Sequence, residues 1–426
     1  MRKKINIILH FTGHLFIFFS CYINSPAFCA FLIRLSILKK KFFKKKIVSS
    51  KITVVLDRSI GHRDIEIIRD NLQNSPEFMF LRRSIPKLIF YYFCNKKKIF
   101  FNYQKPSINE KDYFKQNKKD REKHEKFWAE IILNLKNHYK DKILNFVTFN
   151  YTYFAEAALY TGCKRNNVPV KLWYKEGIKT KLEAGLQAKI SGVKFKHIFK
   201  NFQNISVYNK TIKDMIIQID KTNKKKISIN GCPRILDYLI KKNYKKRINN
   251  ILFLSFDSKR GIPQYKKNLK LNWNLTYDKV IKILNEISDN KNLNIIIKRK
   301  NKSTYISKKK ISKKIKIYEN ETAQKFINQA DIVIGHNSAS TIEALVNGKH
   351  VMIPFFEKKN FQKKYLYKFS KEIIYNSEKK MKKNILKLVN KKVSFPLKNK
   401  NHQKTIQYYL GNSKKILQNY QNFLNY

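Results

Sequence analysis

Short apolar runs alternate with amphipathic stretches along most of the chain. Apolar runs of about 4–8 residues, rich in Ile, Val and Phe, predict strands. In the first half these strands are 52–57, 78–81, 98–101, 145–149, 170–174 and 226–230. In the second half they are 251–257, 293–299, 314–318, 331–335 and 350–354. Helices are predicted between them, near 64–72, 110–140, 153–166, 209–219, 276–288, 321–329 and 338–347. Strands that alternate with helices indicate parallel sheets covered on both faces, so the pattern predicts an α/β fold with two doubly wound, Rossmann-like domains facing a cleft.

The alternation of strands and helices is interrupted near the middle of the chain, and the interruption predicts a boundary between two domains. The lysine-rich stretch 241–250 lies there and is predicted to be a linker. It separates an N-terminal domain, 51–240, from a C-terminal domain, 251–400. Residues 401–426 predict a C-terminal helix, and residues 1–50 form a separate apolar segment. Ligands of doubly wound folds bind at the carboxyl ends of the strands, so functional residues are expected in the strand-end loops.

The beginning of the chain is open to three interpretations. Residues 5–33 carry no Asp, Glu, Lys or Arg, although cations flank them on both sides. A run of more than about 18 apolar residues can span a bilayer, but Asn24, Ser25 and Pro26 interrupt this one. The segment is a membrane anchor or interfacial hairpin, a first strand over 5–10 with a glycine turn and a buried helix, or a cleaved signal peptide.

Composition narrows the class of protein. A chain of 426 residues that is 43% hydrophobic can build two cores, which excludes a wholly disordered protein. Its 91 Lys and Arg against 29 Asp and Glu give a net charge of +62. This excess fits a solvated lysine surface, or attraction to a polyanion or a membrane surface. Five cysteines without a CxxC pair indicate neither a disulfide framework nor a zinc site, and favour a reducing compartment.

The segment 330–356 carries the clearest chemical pattern. Its first strand ends at Gly335, and a polar loop, His336 and Asn337, leads to Ser338, a good helix cap. The first turn of that helix holds the small residues Ala339, Ser340 and Thr341. Backbone N–H groups and the helix dipole favour an anion at such a place. A turn further on, the carboxylate of Glu343 could accept hydrogen bonds from ribose hydroxyls. The alternative is an ordinary strand–helix–strand unit with a surface glutamate.

This segment resembles the donor-nucleotide segment of GT-B-fold glycosyltransferases. The matching residues are Gly335, Ser338, Ser340, Thr341, Glu343, Ala344, Gly348 and Pro354. The resemblance implies that the helix start, 338–341, holds the diphosphate of a nucleotide sugar and that Glu343 holds the ribose.

Two further segments extend the resemblance to the end of the first domain. ISINGCPRILDYL, 227–239, resembles a segment of bacterial surface-polysaccharide biosynthesis proteins, and it contains Arg234 and Asp237. Cys232 stands where those proteins usually have a polar residue. LWYKEGIKTK, 172–181, resembles a strand-end segment of the same proteins and of UDP-GlcNAc 2-epimerases. We therefore place Arg234 among the residues of the predicted cleft.

Two loops of the first domain offer catalytic candidates. Glu176 follows an apolar strand and precedes Gly177, so it could project into the cleft and take a proton from an acceptor hydroxyl. The second loop continues from Asp57 and contains Gly61, His62 and Asp64. There Gly61 is predicted to form a turn, and His62 to act as a base or to hold an acceptor sugar. The alternative is a capping loop with Asp64 as the helix N-cap.

Cations are expected to stabilise the departing nucleoside diphosphate. Lys298 ends a predicted strand, and Arg260 lies in the loop after another. No DxD motif follows a predicted strand, so the reaction is predicted to need no metal and no cofactor besides the nucleotide-sugar substrate.

Together these features predict a metal-independent GT-B-type glycosyltransferase of surface-polysaccharide or lipid-linked glycan synthesis. Its partners would be a nucleotide-sugar donor, a glycan or lipid-linked acceptor and the membrane surface, at the cytoplasmic face of the membrane. One alternative is a sugar-nucleotide epimerase of the same fold, although the helix start HNSAST lacks the GGxQEE pattern of those enzymes. Another is a basic nucleic-acid-binding protein, for which no recognition motif is present.

Overall fold

The computed structural model describes most of the chain. The described residues are 13–38, 50–57, 59–72, 75–94, 117–238, 244–255, 273–290, 292–299, 310–319, 321–336, 338–356, 369–389, 391–397 and 399–425.

The first half of the chain forms a parallel sheet of six strands in the order β2-β1-β3-β4-β5-β6. The strands are β1 Lys51–Asp57, β2 Glu77–Arg82, β3 Ile143–Thr148, β4 Val170–Tyr174, β5 Asn204–Val207 and β6 Ile227–Ile229. The helices are α1 Pro26–Leu38, α2 Ser59–Asn71, α3 Ser84–Cys94, α4 Lys118–His138, α5 Ala157–Arg165, α6 Lys181–Phe199 and α7 Lys210–Ile219. Continuous apolar runs suit such strands, because helices cover both faces of the sheet.

The second half forms another parallel six-stranded sheet, in the order β10-β9-β8-β11-β12-β13. The strands of this half are β7 Tyr244–Arg247, β8 Asn250–Leu254, β9 Asn294–Lys298, β10 Lys316–Tyr318, β11 Ile332–Ile334, β12 His350–Pro354, β13 Ile374–Tyr375 and β14 Lys392–Phe395. The helices are α8 Trp273–Ile287, α9 Ala323–Gln329, α10 Ala339–Val346, α11 Glu378–Leu388, α12 Lys400–Leu410 and α13 Ile416–Asn425. The predicted α/β class with two doubly wound parallel sheets is thus confirmed.

The order of strands locates where each sheet can bind a ligand. Counted from β8, the second sheet has the order 3-2-1-4-5-6 that Rossmann folds share. Successive strands are added on one side of β8 and then on the other, so the crevice opens between β8 and β11. In the first sheet the same reversal falls between β1 and β3. In open α/β sheets, ligands bind outside the carboxyl ends of the strands at such a reversal.

Several predicted elements differ in detail from the observed ones. Helix α2 begins at Ser59 and runs through positions 61 and 62, so the turn predicted at Gly61 is wrong. The predicted linker 241–250 contains β7, which pairs antiparallel with β14. The strand predicted at 98–101 and the first residues of the helix predicted at 110–140 lie outside the described residues. The division of the chain into domains at the stated boundaries stays a prediction.

The C-terminal helix returns to the first sheet. Tyr420 of α13 lies against Trp173 of β4, with 4.3 Å between the ring centroids, and its hydroxyl donates to the Gly231 carbonyl at 2.9 Å. The Lys171 ammonium donates to the carbonyls of Phe423 and Leu424, at 3.0 and 2.9 Å. A cation at the last carbonyls of a helix also complements the helix dipole. The sequence predicted a single helix over 401–426, whereas the structure divides this range into α12 and α13, with the break at Gly411.

The N-terminal segment packs onto the first sheet as two consecutive helical stretches, 13–22 and α1. Their inner side chains, among them Ile17, Cys21 and Ile33, belong to the buried core of that half. The strand predicted at 5–10 lies outside the described residues. Among the residues that are described, no helix has both the length and the apolarity to cross a membrane.

Removing the Tyr420 ring should destabilise the fold because the side chain is fully buried against the first sheet. We expect Tyr420→Ala to lower the free energy of unfolding by about 3–5 kcal/mol. Asn422→Ala, at an exposed position of the same helix, should change it by less than about 0.5 kcal/mol. Equal urea midpoints for the two variants would show that α13 does not hold the first sheet.

Candidate active site

One arginine joins the two halves of the protein. Arg234 lies in the short 3-10 helix that follows β6, and it is the cation between two buried carboxylates. Its Nε lies 2.9 Å from Asp64 Oδ1 on α2, and its Nη1 donates to Glu343 Oε1 on α10 at 2.7 Å. The contact with Asp64 is an ion pair whose angles are not those of a hydrogen bond. These three residues, the Arg234 cluster, tie the first sheet to the second.

Two tyrosines donate hydrogen bonds to the carboxylates of the Arg234 cluster. The Tyr208 hydroxyl donates to Asp64 Oδ2 at 2.7 Å, and the Tyr238 hydroxyl donates to Glu343 Oε2 at 3.4 Å. Burial raises the pKa of Glu343 above its ordinary value, although Arg234 pulls it down. Burial and the charge of Glu343 also raise the pKa of Tyr238, and burial and the charge of Asp64 raise the pKa of Tyr208. Both hydroxyls therefore stay protonated and act as donors.

A second, more exposed ion pair joins Arg63 and Asp237. Arg63 Nη2 donates to Asp237 Oδ2 at 2.7 Å, and Gln324 of α9 donates to the same oxygen at 2.9 Å. Asp237 therefore accepts from both halves of the protein. The Arg63 side chain is 44% exposed, and an ion pair so open to water contributes little to stability.

The segment 330–356 folds as the strand, capped helix and strand that the sequence predicts. Ser338 caps α10: its hydroxyl accepts from the Thr341 N–H at 3.4 Å, and the Thr341 hydroxyl oxygen accepts from the Ser338 N–H at 3.2 Å. A Cβ at Gly335 would lie 2.5 Å from Thr341 Cγ2, so the loop closes only with glycine there. Helix α10 thus starts next to β11, at the crevice of the second sheet. Its first residues, Ala339 and Ser340, are partly exposed.

The remaining donor-site candidates are placed as follows. The Lys298 ammonium, largely buried, donates to the carbonyls of Glu319, at 3.0 Å, and Arg299. Burial lowers the pKa of Lys298, and its donors are directed at the backbone of its own domain. His336 offers its backbone carbonyl to the Thr341 hydroxyl at 2.7 Å. Arg260 and Asn337 lie outside the described residues.

Glu176 lies at the carboxyl end of β4, with a side chain that is 51% exposed. Lys179 is its nearest recorded cation, at 3.8 Å. The next residue, Gly177, has no room for a side chain, because a Cβ would lie 2.4 Å from the Tyr208 ring. Tyr208 therefore touches Gly177 with its ring and Asp64 with its hydroxyl. Within the described part of the chain, no recorded contact joins Glu176 itself to the Arg234 cluster.

Asp64 is not the helix N-cap that the capping-loop interpretation predicts. Helix α2 starts five residues before it, and the Asp64 side chain is fully buried against Arg234. Positions 61 and 62 lie in the first turns of the same helix, and the side chains of Asp57 and His62 lie outside the described residues. The structure thus brings Asp64, Arg234 and Glu343 together, and each was singled out by sequence. Tyr208 and Tyr238 were missed, and only their places after β5 and β6 could have indicated them.

These contacts define the class of fold. Two doubly wound parallel sheets meet through residues that follow their strands, and Leu252 of β8 shares one buried apolar cluster with Val55 and Trp173 of the first sheet. This is a GT-B-like arrangement of two Rossmann-like units.

Solved structures with a similar chain path include UDP-GlcNAc 2-epimerases and a UDP-forming trehalose-phosphate synthase. UDP-GlcNAc 2-epimerase from Neisseria meningitidis bound to UDP-GlcNAc has a TM-score of 0.48 and 11% identity, over 87% of this chain and 100% of that one. The epimerase from Methanocaldococcus jannaschii has a TM-score of 0.46 and 12% identity, over 84% and 98%. A UDP-forming trehalose-phosphate synthase from Burkholderia xenovorans has 0.45 and 7%, over 89% and 97%. At such values we draw neither activity nor substrate from the likeness. No protein-family model and no curated protein matches the chain.

Removing Arg234 should leave two buried carboxylates without a cation. We expect Arg234→Met to lower the free energy of unfolding by about 3–5 kcal/mol. The loss should be greater at pH 8 than at pH 5, because a buried carboxyl with a raised pKa is stabilised when low pH protonates it. Denaturant unfolding at both pH values measures the effect.

Arg63→Met is the matched control, since it removes an adjacent but exposed arginine and should cost at most about 1 kcal/mol. Adding Glu343→Gln to Arg234→Met should recover part of the loss. Equal destabilisation by the two Met variants, without dependence on pH, would contradict a buried charge cluster.

Proposed function

We propose that this protein is a glycosyltransferase that takes its sugar from a nucleotide-sugar donor. The observation that supports this most is the start of α10, which is capped by Ser338 and lies beside β11 at the crevice of a Rossmann-ordered sheet. The first N–H groups of a helix lack intrahelical acceptors. Since the Ser338 hydroxyl takes the Thr341 N–H, those of Ala339 and Ser340 are the donors for a diphosphate.

In this proposal the acceptor hydroxyl oxygen forms a bond to the anomeric carbon as the bond from that carbon to the β-phosphate oxygen breaks. The nucleoside diphosphate leaves with the bonding electrons, and the start of α10 stabilises its charge. Glu176 takes the acceptor proton, because it is an exposed carboxylate at the carboxyl end of β4. His62 is the second candidate for that base. The proposal includes no metal, because the N–H groups at the start of α10 stabilise the charge of the leaving diphosphate.

Glu343 keeps its proposed contact with the ribose. Its two recorded contacts, from Arg234 and Tyr238, use two acceptor positions, and a carboxylate offers about four. Arg234 then acts as a positioning residue that fixes the Glu343 carboxylate below the helix start. Ribose binding does not require the ion pair to break.

We further propose that the acceptor is a glycan or a lipid-linked glycan of the cell envelope, at the cytoplasmic face of the membrane. The net charge of +62 supports an anionic surface as the place of work. No specific nucleic acid is proposed as a partner.

An acidic residue in the first turn of α10 should expel the diphosphate without harming the helix. We expect wild type to bind UDP, CDP or GDP in calorimetry, and Ser340→Asp to weaken that binding at least about tenfold by charge repulsion. Asn401→Asp is the matched control: it adds the same charge at the second residue of α12, which Asn399 caps. Both changes should leave the thermal midpoint unchanged or slightly higher. If all three proteins bind equally, the diphosphate is not at α10.

A transferase and an epimerase differ in their need for an acceptor. Incubated with UDP-GlcNAc alone, the wild-type protein should leave the sugar configuration at C2 unchanged in NMR spectra. A C2 epimer that appears in the absence of any acceptor would contradict the transferase proposal in favour of the epimerase alternative.

A further inference from the structure

Exposed apolar side chains concentrate at the N-terminal helices. Within the described part of the chain, seven of the fifteen exposed large apolar side chains lie between Leu15 and Leu35. The group includes Phe16 and Phe19, each 51% exposed, and Tyr22, 71% exposed. Scattered exposed apolar residues are ordinary, whereas a concentration of aromatic ones marks an interaction surface.

Each of the two helices has a buried inner face and an exposed outer face. In 13–22, the inner residues His14, Ile17 and Cys21 recur at helical spacing and are buried. The outer residues of that stretch and of the turn after it are Leu15, Phe16, Phe19, Tyr22 and Ile23. The inner face is packed on the core, and the outer side chains are not part of it.

Helix α1 repeats the arrangement. Cys29, Ala30 and Ile33 face the core, while Phe31 and Leu35 are exposed one turn apart. The Arg34 guanidinium carbon lies 5.6 Å from the centre of the Phe31 ring. A cation therefore lies beside the exposed apolar side chains of this helix, as in helices that lie at a membrane interface.

The part of the sequence that contains this outer face carries charge of one sign. The first 56 residues contain eleven Lys and Arg and no Asp or Glu, and Asp57 is the first acid of the chain. Apolar and aromatic side chains whose only charged neighbours in the sequence are cations suit the interface of an anionic bilayer, where rings enter the headgroup boundary and cations meet lipid phosphates. A second copy of this chain is a poorer occupant, because each copy would bring the same excess of cations to the contact.

We propose that the outer face of 13–23 and of α1 inserts into the interface of an anionic membrane. Residues of both stretches contribute, with Phe16, Phe19 and Phe31 as the rings that enter the lipid. The inference adds a defined contact surface to the proposed function and does not depend on the nucleotide site, because binding to vesicles is measured without nucleotide.

Sedimentation of the full chain with lipid vesicles tests this surface. We expect wild type to bind vesicles of equal parts phosphatidylglycerol and phosphatidylcholine, and to bind pure phosphatidylcholine far less. The double variant Phe16→Ser/Phe19→Ser should bind anionic vesicles at least about tenfold more weakly, because two rings that insert into the lipid are removed. Val193→Ser/Leu386→Ser removes two exposed apolar side chains elsewhere and should bind as wild type.

Three results would overturn the proposal. The first is that wild type fails to bind anionic vesicles. The second is that the Phe16→Ser/Phe19→Ser variant, with a thermal midpoint equal to that of wild type, binds them equally well, which would assign binding to surface lysines. In the third, light scattering finds a wild-type dimer that this variant abolishes, which would make a second copy the occupant. If the Ser340→Asp variant instead bound nucleotide as wild type does, the proposed function would fail while the vesicle result stayed unchanged.

Discussion

One guanidinium makes an ion pair with each half of the protein. Arg234 stands between Asp64, on the helix that follows β1, and Glu343, on the helix that follows β11. Both strands border the crevices of their sheets, so one cation links the two crevices. A buried ion pair adds little net stability compared with apolar packing, but losing one member is costly. The cluster therefore determines geometry more than it adds to stability.

The Arg234 cluster also helps to hold the candidate donor site in place. Glu343 holds α10 from inside the protein, while the cap at Ser338 and the close approach of Gly335 to Thr341 fix its first turn. A helix start held in this way needs little rearrangement when an anion arrives, which is how fixed dipoles favour a developing charge. On the other side, Tyr208 carries the constraint from Asp64 to Gly177, next to Glu176.

Sequence alone predicted the elements whose signal is local. The apolar run 170–174 is β4 with the same bounds, and the cap at Ser338 follows from the polar loop that precedes small residues. Strand β7 was not predicted, because its lysine-rich sequence shows no apolar alternation and it forms only by pairing with β14. The N-cap interpretation of Asp64 failed because a helix start at Ser59 carries no stronger sequence signal than one near Asp64. Asp64, Arg234 and Glu343 were each singled out, but their mutual contacts join positions more than a hundred residues apart, which periodicity cannot show.

We propose above all that the start of α10, held by the Arg234 cluster, binds the diphosphate of a nucleotide sugar. A crystal structure with the nucleoside diphosphate that binds most tightly tests it directly. We expect phosphate oxygens within hydrogen-bonding distance of the Ala339 and Ser340 backbone nitrogens, with Arg234 still paired to Glu343. A nucleotide bound elsewhere, or one that displaces Arg234 from both carboxylates, would contradict it.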